Sequence, residues 1–295
     1  MSTISDLEQR AAQFLQFETK TKHTWCSGCG NYGIYNALVR ALVLENHTPD
    51  SVMLAFDVGC NSNASDKIHA NTIHGLHGRV LPLAAGLHLA RPSMPIIAIA
   101  GDGATLSEGL NHYLHAARNN YNITFILHNN KNYGLTTGQA SSTTPKNNLA
   151  NGTVGPTAAE TLEPLSLALI AGGTFVARGY TADVDQLTDL IRAGVAHPGF
   201  SVIEVLQLCP TYNKATPEVW YDERIKKLAV PETDRYEALK YCDTTNNQIG
   251  TGVLYQDNKS IDFLSAQQSH RADMQSEINE DVIHHDISKF LTAFQ

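Results

Sequence analysis

Two short motifs in the sequence carry the oxygen-rich side chains that bind a divalent cation. Gly101-Asp102-Gly103 follows an apolar run, and Asn129-Asn130 ends the next such run, with 25 residues between the two motifs. A strand, a helix and a second strand fit this spacing, and neighbouring parallel strands would bring Asp102 and Asn130 together at their carboxyl ends. Carboxylate and amide oxygens suit the octahedral coordination of Mg²⁺. We therefore expect a magnesium site at this edge of the sheet.

The residues around Asp102 also suit a diphosphate. The flanking glycines let a ligand approach the backbone closely, and the helix that follows points the free amide groups of its N-terminus at that ligand. Each motif alone is commonly a turn or the end of a strand, with no ligand. The prediction of a metal and diphosphate site therefore rests on the combination of the two motifs.

Five cysteines form a second candidate site. Cys26 and Cys29 make a Cys-x-x-Cys pair, Cys60 and Cys209 end apolar runs, and Cys242 stands apart. A disulfide framework is not expected, because a core of this size needs no covalent support and cytosolic thiols are kept reduced. Four thiolates can hold either a structural Zn²⁺ or an iron–sulfur cluster, and the sequence spacing does not separate the two.

The elements that must position these residues are apolar, β-branched runs that alternate with helical patterns. The runs cover residues 51–60, 94–103, 123–130 and 200–209, and helices are predicted over residues 7–17, 33–44, 84–90, 106–119 and 182–196. This rhythm predicts an α/β fold with an open, mostly parallel sheet flanked by helices on both faces. In such sheets the ligand site lies beyond the carboxyl ends of the strands, which is where the candidate residues fall.

The segments outside this pattern predict a functional loop and a boundary between two parts of the chain. Residues 131–157 form a loop rich in Gly, Thr and Asn that is too long for a mere connection, so we expect it to be functional. From 211 to 275 the sequence is polar and irregular, and seven apolar residues between 278 and 294 then form one stripe of a helix. We predict a site-bearing domain over 1–214 and, over 215–295, a C-terminal extension whose helical arm contacts another subunit.

Composition excludes several classes of protein. The 295 residues are 42% apolar, which suffices for a substantial core. The net charge of −8 leaves no basic surface for a nucleic-acid backbone. No stretch reaches the roughly 18 apolar residues of a membrane span, and the acidic N-terminal segment is unlike a signal peptide. We expect a cytoplasmic protein that binds neither nucleic acid nor membrane.

Further motifs extend the pattern and indicate a family. The segments WCSGCGNYGI, DVGC, IHGLHGRVLPLAAGLHLA, GDGATLSEGLNHYLHAARNN, NNKNYGLTTGQASSTTP and VLQLCPTYN occur in this order between residues 24 and 215. They resemble the β subunits of 2-oxoacid:ferredoxin oxidoreductases, and the motif with Asp102 and Asn130 resembles that of thiamine diphosphate enzymes. The resemblance implies the fold of the diphosphate-binding domain of those enzymes. It also implies three cofactors, which are thiamine diphosphate, Mg²⁺ and a [4Fe-4S] cluster.

The same resemblance assigns residues to each cofactor. The implied Mg²⁺ ligands are the side chains of Asp102 and Asn130 and the backbone carbonyl of Asn132. The implied cluster ligands are Cys26, Cys29, Cys60 and Cys209, which leaves Cys242 as an ordinary thiol. The implied thiamine diphosphate site comprises Val58, Gly59, Cys60, Asn61, His77, Gly101, Gly103, Ala104, Gly134 and Leu135, with His77 as the catalytic residue.

The implied reaction is the oxidative decarboxylation of a 2-oxoacid to acyl-CoA and CO₂, with electrons passed through the cluster to ferredoxin. Thiamine activation in such enzymes uses a carboxylate from a separate pyrimidine-binding domain, and because this chain has little room for one, we expect an α subunit as partner. Some family members carry a base three residues after the third cluster cysteine. This chain has Asn63 there, and its nearest base is Lys67. Pyruvate and 2-oxoglutarate both stay open as substrates.

Two other functions stay open. The first is a subunit of a non-redox thiamine diphosphate-dependent 2-oxoacid decarboxylase, whose cysteines would bind zinc or nothing. The second is a non-catalytic, zinc-stabilised interaction subunit, in which the two glycine and asparagine motifs would only be turns. A histidine among glycines, such as His77, is also often a structural hydrogen-bonding residue.

Overall fold

One sheet organises the part of the chain that the computed structural model describes, residues 4–245, 247–270, 288 and 292. Its strands in chain order are β1 (Met53–Phe56), β2 (Asn71–His74), β3 (Ile96–Gly101), β4 (Ile123–Asn129), β5 (Phe175–Tyr180), β6 (Phe200–Leu206), β7 (Ile225–Lys227) and β8 (Ile249–Gln256). The spatial order is β2-β1-β3-β4-β6-β5-β8-β7, and every neighbouring pair is parallel except β5 with β8. The predicted open, mostly parallel sheet is confirmed.

Helices cover both faces of this sheet. They are α1 (Ile4–Gln16), α2 (Asn31–Leu44), α3 (Val80–Ala90), α4 (Leu110–Asn119), α5 (Pro164–Ala171), α6 (Val184–Ala196), α7 (Glu218–Asp222), α8 (Arg235–Ala238) and α9 (Phe263–Ser269). Helices α2 and α6 bury apolar side chains on one face of the sheet, whereas α3, α4 and α5 bury theirs on the other. Because both faces are covered, every residue of β4 and β6 is buried.

The predicted helices exist, with shifted ends. Helix α3 begins at Val80, four residues before the predicted start, because Pro82 is tolerated in the first turn of a helix. The helix predicted over 106–119 is interrupted, since a π-helical turn at Ala104–Glu108 precedes Gly109 and α4 follows. None of the described helices has the length and apolarity needed to cross a bilayer.

The expectation of irregular structure over 211–275 is wrong. Strand β8 hydrogen-bonds to β5 in the antiparallel direction and to β7 on its other side, so this segment extends the sheet. Two glycines, Gly250 and Gly252, interrupt the apolar pattern of β8, and this conceals the strand in the sequence. The boundary at 214 stays a prediction. The helical arm predicted over 278–294 lies outside the described residues, apart from Ser288 and Thr292.

Candidate active site

A cavity of about 220 Å³ lies where the chain leaves the carboxyl ends of β1, β3 and β4. Strands β3 and β4 are parallel neighbours, and Gly101 is paired with His128, so the two predicted motifs do meet at this edge. The cavity is lined by every residue predicted for thiamine diphosphate or Mg²⁺: Val58, Gly59, Cys60, Asn61, His77, Gly101, Asp102, Gly103, Ala104, Asn130, Asn132, Gly134 and Leu135. The other lining residues, which the sequence reasoning missed, are His128, Tyr133, Thr136 and Gln207. We call this cavity the cofactor pocket.

Asp102 is a buried carboxylate in the wall of the cofactor pocket, with 1% of its surface exposed. Its Oδ2 accepts hydrogen bonds of 2.5 Å from the hydroxyls of Ser141 and Thr143. Burial raises the pKa of Asp102 to about 6, and the two hydroxyls oppose that rise. Both hydroxyls belong to the loop over 131–157, so the loop that the sequence indicates as functional does contact the predicted site.

The Asn130-Lys131-Asn132 turn is held by its own side chains. The backbone N–H of Asn132 donates to Asn130 Oδ1 at 3.1 Å, and the Asn132 side chain donates to the Asn130 carbonyl at 2.9 Å. Lys131 has a φ of 62°, a left-handed conformation that costs a residue with a Cβ about 1 kcal/mol. Strained backbone of this kind persists only where its surroundings hold it, and it is frequent at ligand sites.

A buried hydrogen-bond network runs from Asp102 away from the cofactor pocket. The Thr143 hydroxyl lies 2.5 Å from Asp102 Oδ2 and 3.0 Å from Asn129 Oδ1. Asn129 donates to Glu204 Oε1 at 2.6 Å, and Glu204 Oε2 accepts from Arg178 Nε at 2.7 Å. The network therefore links the predicted metal ligand to the centre of the sheet, where β5 and β6 pair.

His77 lies between two carboxylates at the side of the cofactor pocket. Its Nδ1 is 2.9 Å from the carbonyl of Val58 and 3.7 Å from Asp57 Oδ1, and its Nε2 is 3.3 Å from Glu108 Oε2. Tyr133 donates to the same Glu108 carboxylate at 3.3 Å. Both ring nitrogens therefore face protein oxygens, and the imidazole is held in place although its side chain is 37% exposed.

The buried Asp57 carboxylate holds the loop that carries His77. It accepts the backbone N–H of Gly78 at 3.0 and 3.1 Å, and burial raises its pKa. Gly78 has a φ of 68°, and a Cβ there would lie 2.7 Å from the Cβ of Glu108. Only glycine lets this loop pack so closely on the π-helical turn that carries Glu108.

Four of the cysteines surround a second cavity, of about 200 Å³, which we call the cysteine cavity. Cys26, Cys29, Cys60 and Cys209 all line it, and Cys60 also lines the cofactor pocket. Burial raises the pKa of Cys60 to about 11, and the other three thiols add to that rise. Cys242 is buried elsewhere, with its Sγ 3.7 Å from the carbonyl of Ala238.

The two residues considered for contact with a substrate, Asn63 and Lys67, do not line the cofactor pocket. Asn63 lines the cysteine cavity and donates to Thr24 Oγ1 at 3.1 Å. Lys67 is buried, pairs with Asp66 at 2.9 Å and lines neither of the two cavities. No Lys or Arg is among the described residues that line the cofactor pocket.

Two family models match consecutive parts of the chain. The C-terminal TPP-binding domain of thiamine pyrophosphate enzymes matches residues 50–205, and the C-terminal part of the pyruvate ferredoxin oxidoreductase beta subunit matches residues 209–269. The 2-oxoacid:ferredoxin oxidoreductase subunit beta of a Sulfolobus species is 39% identical over 242 residues, which cover 81% of this chain and 77% of that protein. The chain belongs to the β-subunit family of 2-oxoacid:ferredoxin oxidoreductases.

Other comparisons agree with this family assignment and with the fold. The 2-oxoglutarate synthase subunit KorB of Methanocaldococcus jannaschii is 35% identical over 195 residues, which cover 66% of this chain and 72% of that protein. A solved 2-oxoglutarate:ferredoxin oxidoreductase from Magnetococcus marinus, with 2-oxoglutarate, coenzyme A and succinyl-CoA bound, superposes with a TM-score of 0.87 at 26% identity and covers 96% of each chain. The predicted family resemblance and the predicted fold are confirmed.

Proposed function

We propose that this β subunit catalyses the oxidation of a 2-oxoacid, in the presence of coenzyme A, to acyl-CoA and CO₂, with the released electrons passing through a [4Fe-4S] cluster to ferredoxin. The observation that carries the proposal is the wall shared by the two cavities. The residues that line both are Cys60, Asn130, Gly134, Leu135 and Gln207. A ligand in the cofactor pocket and a cluster at the cysteines would be direct neighbours, an arrangement that electron transfer requires and a structural metal does not.

The cofactor pocket fits a magnesium diphosphate. Asp102 is the sole carboxylate among its described lining residues, and because burial raises the pKa of this group, a bound cation would stabilise its charged form. The side chain of Asn130 and the carbonyl of Asn132 would complete the protein ligands, next to the backbone of Gly103 and Ala104. When bound, thiamine diphosphate supplies the nucleophilic carbon that makes decarboxylation of a 2-oxoacid possible.

The cysteine cavity fits a cluster better than a single zinc ion. Zn²⁺ holds four sulfurs about 2.3 Å from one centre. Within the described ranges, no three His, Cys, Asp or Glu side chains are grouped closely enough to hold one metal ion. In a [4Fe-4S] cluster each cysteine binds a different iron, so four cysteines that line one cavity of about 200 Å³ support the proposal of a cluster.

The composition of the cofactor pocket also supports a partner subunit. The carboxylate that activates thiamine must be a second one, because Asp102 is assigned to the cation. The described lining residues offer none, so an α subunit with the pyrimidine-binding domain would supply it. That partner would also provide the cationic group that binds a substrate carboxylate. The β subunit would contribute His77 as the catalytic residue. A ferredoxin, in the cytoplasm, would receive the electrons.

The test is anaerobic co-expression with the α subunit, followed by coenzyme A-dependent reduction of a viologen dye with a panel of 2-oxoacids. We expect reduction that requires both thiamine diphosphate and Mg²⁺. Decarboxylation without dye reduction, in a protein that contains zinc or no metal, would favour the non-redox decarboxylase instead. Failure to bind thiamine diphosphate in the presence of Mg²⁺ would favour the non-catalytic subunit.

A further inference from the structure

Gln207 lines both the cofactor pocket and the cysteine cavity, and the proposed function gives it no role. It is 2% exposed, and its Nε2 lies 3.8 Å from Cys29 Sγ and 2.9 Å from Asn31 Oδ1. The Gln207 amide therefore connects Cys29, a predicted cluster ligand, to the buried side chain of Asn31.

The contact with Cys29 determines which end of the amide faces the sulfur. A cysteine that binds iron is a thiolate, which accepts hydrogen bonds and donates none. The NH₂ end of Gln207 must therefore face Cys29.

The orientation of Gln207 also determines that of Asn31 and of His128. Because Gln207 donates, Asn31 must present its Oδ1, and the same oxygen lies 3.0 Å from His128 Nδ1. An acceptor at this position requires the proton on Nδ1. His128 lines the cofactor pocket, so a hydrogen-bond relay of three buried side chains joins Cys29 to that pocket.

We propose that Gln207 is a positioning residue that raises the reduction potential of the cluster by donating a hydrogen bond to Cys29. This inference rests on the proposed function, because it requires a cluster at the four cysteines. An N–H group that points at a ligand sulfur stabilises the additional negative charge of the reduced cluster, and stabilising the reduced form raises the potential.

The test compares Gln207→Leu and Gln207→Glu with the wild-type protein in the anaerobically purified complex with the α subunit. Leu removes the donor at similar volume, and Glu keeps the shape but places a carboxylate at the sulfur. We expect both variants to have a lower midpoint potential in an EPR-monitored redox titration, with Glu lower than Leu. The matched control is Asn63→Ala, which removes another amide from the cysteine cavity but one that donates to Thr24, and its potential should equal that of the wild type.

The iron and sulfide content distinguishes failure of the proposed function from failure of the role proposed for Gln207. Wild-type protein without iron would contradict the proposed function itself. A full cluster with an unchanged potential in both Gln207 variants would overturn the role of Gln207 alone. If both variants lose the cluster, pulsed EPR of the reduced wild-type complex with side-chain ¹⁵N-labelled glutamine decides the matter. A ¹⁵N coupling to the cluster is expected, and its absence would overturn the inference.

Discussion

Arg178 and Glu204 form an ion pair in which Nε and Oε2 are 2.7 Å apart and neither side chain is exposed to solvent. The guanidinium also donates to the carbonyls of Tyr241 at 2.7 Å and Cys242 at 2.6 Å. Glu204 in turn accepts from Asn129, beside the predicted metal site. This pair therefore joins the predicted site to the segment that follows β7, through the middle of the sheet.

Removing one partner of this pair should destabilise the fold strongly. We expect Arg178→Met to lower the free energy of unfolding by about 3–5 kcal/mol, because it leaves the buried Glu204 carboxylate without its cation. Equilibrium unfolding in urea measures the change. The control is Arg192→Met, whose pair with Glu45 is partly exposed and should contribute less than about 1 kcal/mol. Equal losses in the two variants would contradict the assignment of Arg178 as the stabilising partner.

Asp102→Ala should abolish retention of thiamine diphosphate. The substitution removes the only anionic protein group assigned to Mg²⁺, so binding itself should fail and not only turnover. Calorimetric titration with thiamine diphosphate in the presence of Mg²⁺ gives the affinity. Asp66→Ala, at an exposed carboxylate beside Lys67, serves as the control. Wild-type affinity in the Asp102 variant would show that the Mg²⁺ assignment is wrong.

Single cysteine variants should divide into two groups. Replacing Cys26, Cys29, Cys60 or Cys209 with Ser should remove or degrade the cluster, because each of these thiols lines the cysteine cavity. Cys242→Ser should leave the iron content and the visible absorption unchanged, since that thiol is buried elsewhere. Iron analysis and absorption spectra of anaerobic preparations make the comparison. Four thiols with zinc and without iron would favour the zinc alternative.

His77→Gln should lower kcat by about 100-fold or more if the imidazole moves a proton during the reaction. The affinity for thiamine diphosphate should change little, because the residues assigned to Mg²⁺ remain. The control is His74→Gln, which changes an exposed histidine three residues earlier that does not line the cofactor pocket. Steady-state kinetics with dye reduction compares the variants. A His77 variant with the kcat of the wild type would show that this histidine has a structural role and not a catalytic one.

Glu163 should make stability depend on pH. Burial and the neighbouring Glu204 raise its pKa to about 7 from the model-peptide value of 4.5. Between these two values the folded protein binds more protons than the unfolded chain, so stability falls as the pH rises from about 4.5 to 7, by up to about 3 kcal/mol. In urea unfolding at several pH values, Glu163→Gln should show a weaker fall than the wild type. Glu160→Gln, at an exposed carboxylate, should keep the wild-type slope.

The sequence indicates those parts of the molecule that follow a local pattern. Apolar runs identify β3 and β4, and their polar ends locate Asp102 and Asn130 because the carboxyl ends of parallel strands meet. Strand β5 is different, since Arg178 and Gly179 interrupt its apolar pattern although all six residues are buried. The sequence of β5 would indicate a buried strand only if the pairing of Arg178 with Glu204 were known. Glu204 lies in another strand, β6, so the local sequence does not reveal this pairing.

The residues missed at the site have the same explanation. Gln207 and His128 follow or end apolar strands, and nothing near them in the sequence marks them as ligands. Their importance arises where the start of α2 places Asn31 between them. Ser141 and Thr143 are a partial exception, because the composition of their loop indicates a function, although it does not identify Asp102 as the group that they contact.

The carbonyls of Tyr241 and Cys242 that receive the Arg178 guanidinium also bear on the order of events during synthesis of the protein. When the ribosome has completed β6, Glu204 can already pair with Arg178, yet two of the guanidinium's acceptors have not been translated. Until the segment before β8 emerges, β5 is therefore an edge strand and two of the hydrogen bonds of the Arg178 guanidinium are not yet made within the protein. We infer that a chain truncated after residue 214 would fold poorly and would be degraded readily by proteases, even though it would contain every residue assigned to the cofactors.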